Sequence, residues 1–141
     1  MKLSRNYNQR KALIRTQLVA LINNGQITTT ESKAELIKPL VDRLITKAKV
    51  GSIHARRQLA SMLASVPAAN RLVDVIMPLF ADKKSGFASL TKIKVRKGDG
   101  TTISTLRLLA EIPKPVVKAK PVKEAKTNKS NESNQSNKSK K

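Results

Sequence analysis

Residues 1–22 read MKLSRNYNQRKALIRTQLVALI, and this stretch joins a basic segment to one apolar helix face. Its first fifteen residues include five Lys or Arg side chains and no acidic one: Lys2, Arg5, Arg10, Lys11 and Arg15. The apolar residues that follow recur at spacings of three and four, which is typical of one face of a helix. We therefore expect a basic N-terminal arm that contacts an anionic partner, and a helix that packs against a core.

The whole chain is strongly basic. Its 141 residues include 29 Lys or Arg against nine acidic residues, which gives a formal net charge of +20. Self-repulsion of this size disfavours a compact state unless a polyanion neutralises it. The candidate partners are nucleic acid, an anionic membrane surface and acidic protein. Among these, phosphate backbones are the commonest match for a small basic chain.

Composition argues against several other functions. The chain has no cysteine, and a single histidine, His54, which excludes disulfides, Cys-ligated zinc and a multi-histidine metal site. No apolar run approaches the roughly 18–20 residues that cross a bilayer, and the N-terminus lacks the apolar core of a secretory signal. The acidic residues are scattered. We therefore predict a cytoplasmic protein with no catalytic residues, no metal, no cofactor and no small-molecule substrate.

The first part of the chain has helical periodicity interrupted by caps and breakers. The predicted elements are a helix ending at Asn24, a short strand at residues 26–29, a helix capped by Thr30 and stopped by Gly51, a helix capped by Ser52 and ending near Leu63, and, after a break at Pro67, a helix that runs to Pro78. Pro39 removes one backbone donor inside the second helix, so we expect a kink there.

The period changes to two after Phe87. Residues 87–96 alternate, which predicts a half-buried strand. The inward side chains are Phe87, Thr91, Ile93 and Val95, and those of a basic outer face are Lys92, Lys94 and Arg96. A tight turn at residues 97–100 leads to a second strand at residues 101–112, with Leu106, Leu108 and Ala110 on one side. The sequence thus predicts an α+β fold with four helices and a small three-stranded sheet.

The composition changes again at Pro113. Residues 113–141 hold nine Lys, two Glu and many Asn and Ser, without an aromatic residue. Such a segment cannot bury enough apolar surface to offset the entropy of ordering. We therefore predict one folded domain at residues 1–112, which includes the basic arm, and a disordered tail at residues 113–141.

Three groups of cations are candidates for phosphate binding: the arm, the Arg56–Arg57 pair, and the strand face of Lys92, Lys94 and Arg96. Aromatic residues are nearly absent, which argues against single-strand binders that stack bases on exposed rings. The mode of binding that remains compatible with the composition is recognition of folded nucleic acid through its shape and its phosphates. Tyr7 is the one ring expected to be exposed, and base stacking and plain packing are equally compatible with its position.

Five segments, in this order, resemble the bacterial large-subunit ribosomal protein family numbered seventeen (L-seventeen). They are KLSRNYNQRKALIRTQL at residues 2–18, ITTTESKAELIKPLVDRLITKAK at 27–49, RRQL at 56–59, PLFADKKSGF at 78–87 and RKGD at 96–99. The resemblance covers about residues 2–112. It implies a structural and assembly role in the large ribosomal subunit, bound to large-subunit rRNA beside neighbouring ribosomal proteins, with no catalysis.

The resemblance also assigns individual positions. Seven cations fall on basic sites of the family pattern and are expected rRNA contacts: Arg5, Arg10, Arg15, Arg56, Arg57, Lys83 and Arg96. The chain departs from the pattern at Ser85-Gly86-Phe87-Ala88-Ser89, where Gly-Gly-Tyr-Thr-Arg is usual, so an Arg is lost and Lys92 or Lys94 is the expected substitute.

Two other functions are compatible with the charge. A nucleoid-type DNA-binding module needs a helix–turn–helix pair, which the second and third helices resemble across Gly51, although their polar side chains are poorly suited to reading bases. An enzyme acting on RNA has no support beyond the charge itself.

Overall fold

The computed structural model describes residues 2–110. Met1, the last two residues of the predicted domain and the predicted disordered tail at residues 113–141 lie outside the described residues. The elements are α1 (Tyr7–Asn24), β1 (Gln26–Thr30), α2 (Glu31–Ala48), α3 (Ile53–Leu63), α4 (Val66–Arg71), β2 (Ala88–Val95) and β3 (Thr102–Leu108). α4 continues through a π-helical segment, Leu72–Ile76, and a last turn, Met77–Leu79, and these together form the fourth helix. The structure of residues 2–110 thus confirms the predicted α+β fold with four helices and a three-stranded sheet.

α1 begins and ends through local hydrogen bonds. At its start, the side chain of Gln9 accepts a hydrogen bond from the backbone N–H of Asn6. At its end, Gly25 adopts a left-handed φ of 76° and donates its N–H to the carbonyl of Leu21 at 2.8 Å. Glycine takes this conformation without strain, so it ends the helix at Asn24, as predicted.

The middle helices begin where predicted, but two details differ from the prediction. Thr30 precedes α2 without a side-chain capping hydrogen bond, and Pro67 has a different role. The hydroxyl of Ser52 accepts a hydrogen bond from the N–H of Ala55 at the start of α3, as predicted. α3 ends at Leu63, followed by Ala64 in a left-handed conformation, and Pro67 lies in the first turn of α4. Pro67 therefore begins a helix instead of ending one, because N–H groups in the first turn have no hydrogen-bond partner within the helix and the missing donor of proline costs nothing there. α2 continues on both sides of the exposed Pro39, and the kink stays a prediction.

The core is one cluster to which all four helices and the sheet contribute. Its largest fully buried side chains include Leu21, Ile37, Leu59, Ile76, Phe80, Phe87 and Leu106. The rings of Phe80 and Phe87 meet edge to face, with centroids 5.3 Å apart. This geometry suits the ring quadrupoles and joins the end of the fourth helix to the start of β2. No helix among residues 2–110 is long and apolar enough to span a membrane.

The sheet is antiparallel, with β3 between β1 and β2. Leu106 of β3 lies opposite Ile27 of β1 and Leu90 of β2, so these three side chains share the core face. The pairing of β2 and β3 shifts between Lys92 and Lys94, which places a β-bulge at Ile93.

The predicted inward side of β2 is wrong beyond Phe87. Ala88 and Leu90 face the core, whereas Ile93 and Val95 are 56% and 61% exposed. Two physical features explain the difference. The core ends near Leu90, so the far half of the hairpin extends into solvent, and the bulge inserts one residue that alternation does not anticipate.

Candidate nucleic-acid interface

The part of the N-terminal arm that precedes α1, residues 2–6, folds back on the start of this helix. The N–H of Arg5 donates to the carbonyl of Lys2 at 3.2 Å, and Leu3 and Ser4 between them have positive φ values of 52° and 49°. The guanidinium of Arg10 reaches the same Lys2 carbonyl at 3.4 Å. The arm therefore places the backbone of Lys2 against α1, next to two arginines.

The start of α1 is unusually positive. Its first turn has no acidic residue, and the first acidic side chain of the chain is Glu31. Unpaired N–H groups at a helix N-terminus already carry a partial positive charge. Lys2, Arg5, Arg10 and Lys11 add four full charges at the same end. Repulsion among these charges destabilises the folded chain when it is alone, and a bound anion relieves that repulsion.

A groove of about 370 Å³ lies beside this end of α1, between α1, α2 and α3. Ile14, Leu40 and Met62 give it apolar walls. Tyr7 and Lys11 also line it. The ring of Tyr7 is exposed, with the ammonium of Lys11 5.9 Å from the ring centroid. The residues that line the groove include Arg10, Lys11 and Arg15 but no carboxylate.

Arg15 has a structural role that the sequence did not indicate. Its Nε donates to the carbonyl of Met62 at 3.2 Å, and its Nη2 donates to the carbonyl of Ser61 at 3.0 Å. The guanidinium thus satisfies two carbonyls in the last turn of α3, which have no partner within their own helix. Arg71, which the sequence did not single out, donates to the carbonyls of Ile22 and Asn23 at the end of α1.

Three of the predicted contact residues are already paired with carboxylates. Arg56 donates both terminal nitrogens to Asp74, Lys92 lies 2.6 Å from Glu31, and Arg96 lies 2.6 Å from Asp99. The hydrogen bond from Arg96 lowers the pKa of Asp99 from 3.8 to about 2, and a second hydrogen bond from Thr101 contributes. The hydrogen bond from Arg56 likewise lowers the pKa of Asp74.

The predicted common basic face of β2 is wrong. Lys92 lies opposite the buried Ser104, on the core side of the sheet, whereas Lys94 lies opposite Ile103, on the outer side. Arg96 lies at the turn, where its N–H bonds to the carbonyl of Thr101. The bulge at Ile93 separates Lys92 from Lys94, so the three cations do not form one stripe.

The outer face of the sheet is rich in hydroxyl groups. The register places Thr28, Thr91 and Thr105 side by side, and the hydroxyls of Thr28 and Thr105 are 3.1 Å apart. Exposed Arg107 lies on the same face as Lys94. Sequence reasoning missed Arg107, although its position between the inward-facing Leu106 and Leu108 was a sufficient signal.

The remaining predicted contacts, Arg57 and Lys83, are exposed. Arg57 lies on α3 beside the paired Arg56. Lys83 lies in the segment that connects the fourth helix to β2, where its ammonium is 5.9 Å from the ring of Phe80. Lys49 holds this segment in place by donating to the carbonyls of Ala81 and Lys83. Within residues 2–110, no group of three acidic, histidine or cysteine side chains could hold a metal.

Comparison with known proteins agrees with this geometry. The family described as Ribosomal protein L17 matches residues 13–109. The large ribosomal subunit protein bL17 of Akkermansia muciniphila is 39% identical over 108 residues, which cover 77% of this chain and 79% of that protein. The bL17 proteins of Clostridium botulinum (Hall strain) and Gemmatimonas aurantiaca are 35% and 39% identical, over 77% of this chain and over 96% and 92% of their own lengths. The chain belongs to the L17 family.

Membership confirms the family resemblance read from the sequence. The L17 family consists of structural constituents of the large ribosomal subunit, ribosome-bound in the cytoplasm, and not of enzymes. Membership of this family also accounts for the chain's excess of positive charge, since ribosomal proteins function within a particle built largely of a polyanion.

Proposed function

We propose that this chain binds large-subunit rRNA through phosphate and shape contacts, and thereby stabilises the subunit during assembly and translation. The main contact is made by the cations at the start of α1: Lys2, Arg5, Arg10 and Lys11. Neighbouring large-subunit ribosomal proteins are the other partners. The support for this proposal is the concentration of positive charge at one end of one helix.

The observation that carries the proposal is the absence of carboxylate partners for these cations. Within residues 2–110, Lys2, Arg5, Arg10 and Lys11 form no ion pair, whereas Arg56, Lys92 and Arg96 each do. A cation without a carboxylate partner can neutralise a phosphate and release the phosphate's counterion without first breaking an internal ion pair. The N-terminal end of α1 is therefore the surface best prepared for RNA.

A second contact is proposed at the outer face of the sheet. Lys94 and Arg107 supply charge there, and the hydroxyls of Thr28, Thr91 and Thr105 supply hydrogen-bond donors and acceptors. RNA presents 2′-hydroxyls and phosphates across its shallow minor groove, and proteins read that surface mostly by shape. Arg57 on α3 and Lys83 in the segment before β2, which are both exposed, are proposed as additional rRNA contacts.

The direct test measures binding of the full chain to protein-free large-subunit rRNA over a series of salt concentrations. The logarithm of the binding constant should fall linearly with the logarithm of salt, by roughly 0.7–0.9 for each phosphate neutralised. Duplex DNA of matched length serves as the competitor. Equal affinity for the DNA, or no binding of the rRNA at low salt, would contradict the proposal.

A further inference from the structure

The groove beside α1 has a combination of surfaces that phosphate neutralisation alone does not use. Its volume of about 370 Å³ lies within the range of roughly 300–1,000 Å³ that holds small organic ligands. Ile14, Leu40 and Met62 form apolar walls, whereas Arg10 and Lys11 supply positive charge. A ligand that fits must therefore carry an apolar part and a negative charge close together.

Two groups suited to stacking line the same groove. The ring of Tyr7 is 67% exposed. The guanidinium of Arg15 is held by the carbonyls of Ser61 and Met62, so its plane is fixed before any ligand arrives. Unpaired RNA bases stack on aromatic rings and on guanidinium planes. A rigid platform of this kind costs little conformational entropy on binding.

We propose that the groove receives one unpaired nucleotide of the rRNA, with its base between Tyr7 and Arg15 and its phosphate at Arg10 and Lys11. This inference rests on the proposed function, and it specifies what the N-terminal end of α1 recognises. A nucleotide supplies the flat apolar ring and the adjacent anion in one unit. An acidic peptide satisfies the charge but makes no use of the two stacking groups, so it is the less suitable occupant.

The first experiment uses the absence of cysteine from the chain. A single thiol introduced by Ser61→Cys, at the edge of the groove, carries a photoactivatable crosslinker into reconstituted large subunits. The matched control is Thr16→Cys, since Thr16 lines a neighbouring groove of about 430 Å³ with Val19 and Leu63, which shares only Arg15 with the first. The Ser61 probe should crosslink to one unpaired rRNA nucleotide, which the Thr16 probe does not reach. Crosslinking of the Ser61 probe to a ribosomal protein, or only to base-paired RNA, would overturn the inference.

The second experiment fills the groove without removing any charge. Ser61→Trp should weaken rRNA binding about tenfold, because loss of one stacked base has an effect of this order. It should leave unchanged the slope of the logarithm of the binding constant against the logarithm of salt, which we call the salt slope. The base crosslinked in the first experiment should also become accessible to a base-modifying reagent. Thr16→Trp is the control, and thermal unfolding shows whether each variant is folded.

The outcomes separate this inference from the proposed function. If Ser61→Trp binds with unchanged affinity and the base stays protected, the groove does not hold a nucleotide, although rRNA binding by the wild type still stands. If the wild-type chain does not bind rRNA in the salt series, both the proposed function and this inference are wrong.

Discussion

The N-terminal end and the β2–β3 hairpin are both rich in cations, yet they differ in what folding does to those cations. Lys2, Arg5 and Lys11 have no carboxylate partner within residues 2–110, and α1 itself carries no acidic residue. In the hairpin, by contrast, Lys92 pairs with Glu31 and Arg96 pairs with Asp99. The comparison shows that the number of cations in a segment does not determine how many are free to bind phosphate.

The cost of using a paired cation explains why this distinction matters. A phosphate that approaches Arg96 must compete with the carboxylate of Asp99, which lies only 2.6 Å away and stays ionised at neutral pH. Exposed ion pairs are individually weak, so such competition is possible, but the phosphate gains less than it does at an unpaired cation. Each paired residue should therefore contribute less to RNA affinity than an unpaired one.

The sharpest test of the comparison exchanges three cations at a time. The variant Lys2→Gln, Arg5→Gln, Lys11→Gln removes unpaired charge, and the variant Arg56→Gln, Lys92→Gln, Arg96→Gln removes paired charge. Both lower the net charge by three, so a difference between them does not arise from net charge. The first should reduce the magnitude of the rRNA salt slope by about 2–3, because each of three lost phosphate contacts contributes roughly 0.7–0.9. The second should change the slope by less than about one.

Thermal unfolding of both triple variants provides the control for folding. Salt slopes that fall equally in the two variants would show that pairing with carboxylates does not matter. A larger fall in the second variant would reverse the comparison, and would place the main RNA contact on α3 and the hairpin.

Arg15 sharpens the comparison within the N-terminal end itself. Arg15→Gln should lower the free energy of unfolding by about 1–2 kcal/mol, because it removes two charge-assisted hydrogen bonds to the last turn of α3. Lys11→Gln, four residues earlier on the same helix, should leave the stability nearly unchanged, since within residues 2–110 the ammonium of Lys11 forms no ion pair and lies 5.9 Å from the ring centroid of Tyr7. Chemical unfolding of the RNA-free chain measures both.

For RNA binding, we expect the order of the two variants to be the reverse of their order in loss of stability. Lys11→Gln should weaken rRNA binding more than Arg15→Gln does, once the folded fraction is taken into account. Equal stability of the two variants would show that the hydrogen bonds from Arg15 to α3 contribute nothing to the fold.

Local signals were sufficient to predict most of the fold. Gly25 ends α1, Ser52 caps α3, and the turn before Gly100 closes the hairpin, because each depends on a few neighbouring residues. The π-helical segment at Leu72–Ile76 was not predicted, since its apolar residues are compatible with an ordinary helix. Nothing in residues 87–96 indicated the bulge at Ile93, and one inserted residue was enough to move Lys94 away from Lys92.

The candidate site was predicted less completely than the fold, for a physical reason. The basic arm was visible because its charge is contiguous in sequence. The partners of Arg15 and Arg56 are 46 and 18 residues away, respectively, so only the tertiary structure brings them together. Sequence can therefore locate cations, but it cannot distinguish those that bind RNA from those that stabilise the protein.

The smallest expected effect concerns the paired cation at the hairpin turn. The hydrogen bond from Arg96 lowers the pKa of Asp99 to about 2, below its ordinary value of 3.8. A lowered pKa means that the pair stabilises the folded chain above about pH 4, and that this stabilisation is lost as the pH falls towards 2. Arg96→Gln should raise the pKa of Asp99 towards 3.8, although the hydrogen bond from Thr101 should keep it somewhat lower. NMR titration of the carboxyl carbon measures this shift.

Lys94→Gln provides the matched control for that titration. Lys94 lies on the same strand but forms no ion pair with a described carboxylate, so its exchange should leave the pKa of Asp99 near 2. If both variants titrate at the same midpoint, the pair does not persist in solution and Arg96 is as available to phosphate as Lys94. The hairpin would then resemble the N-terminal end, and the difference in salt slope between the two triple variants should shrink accordingly.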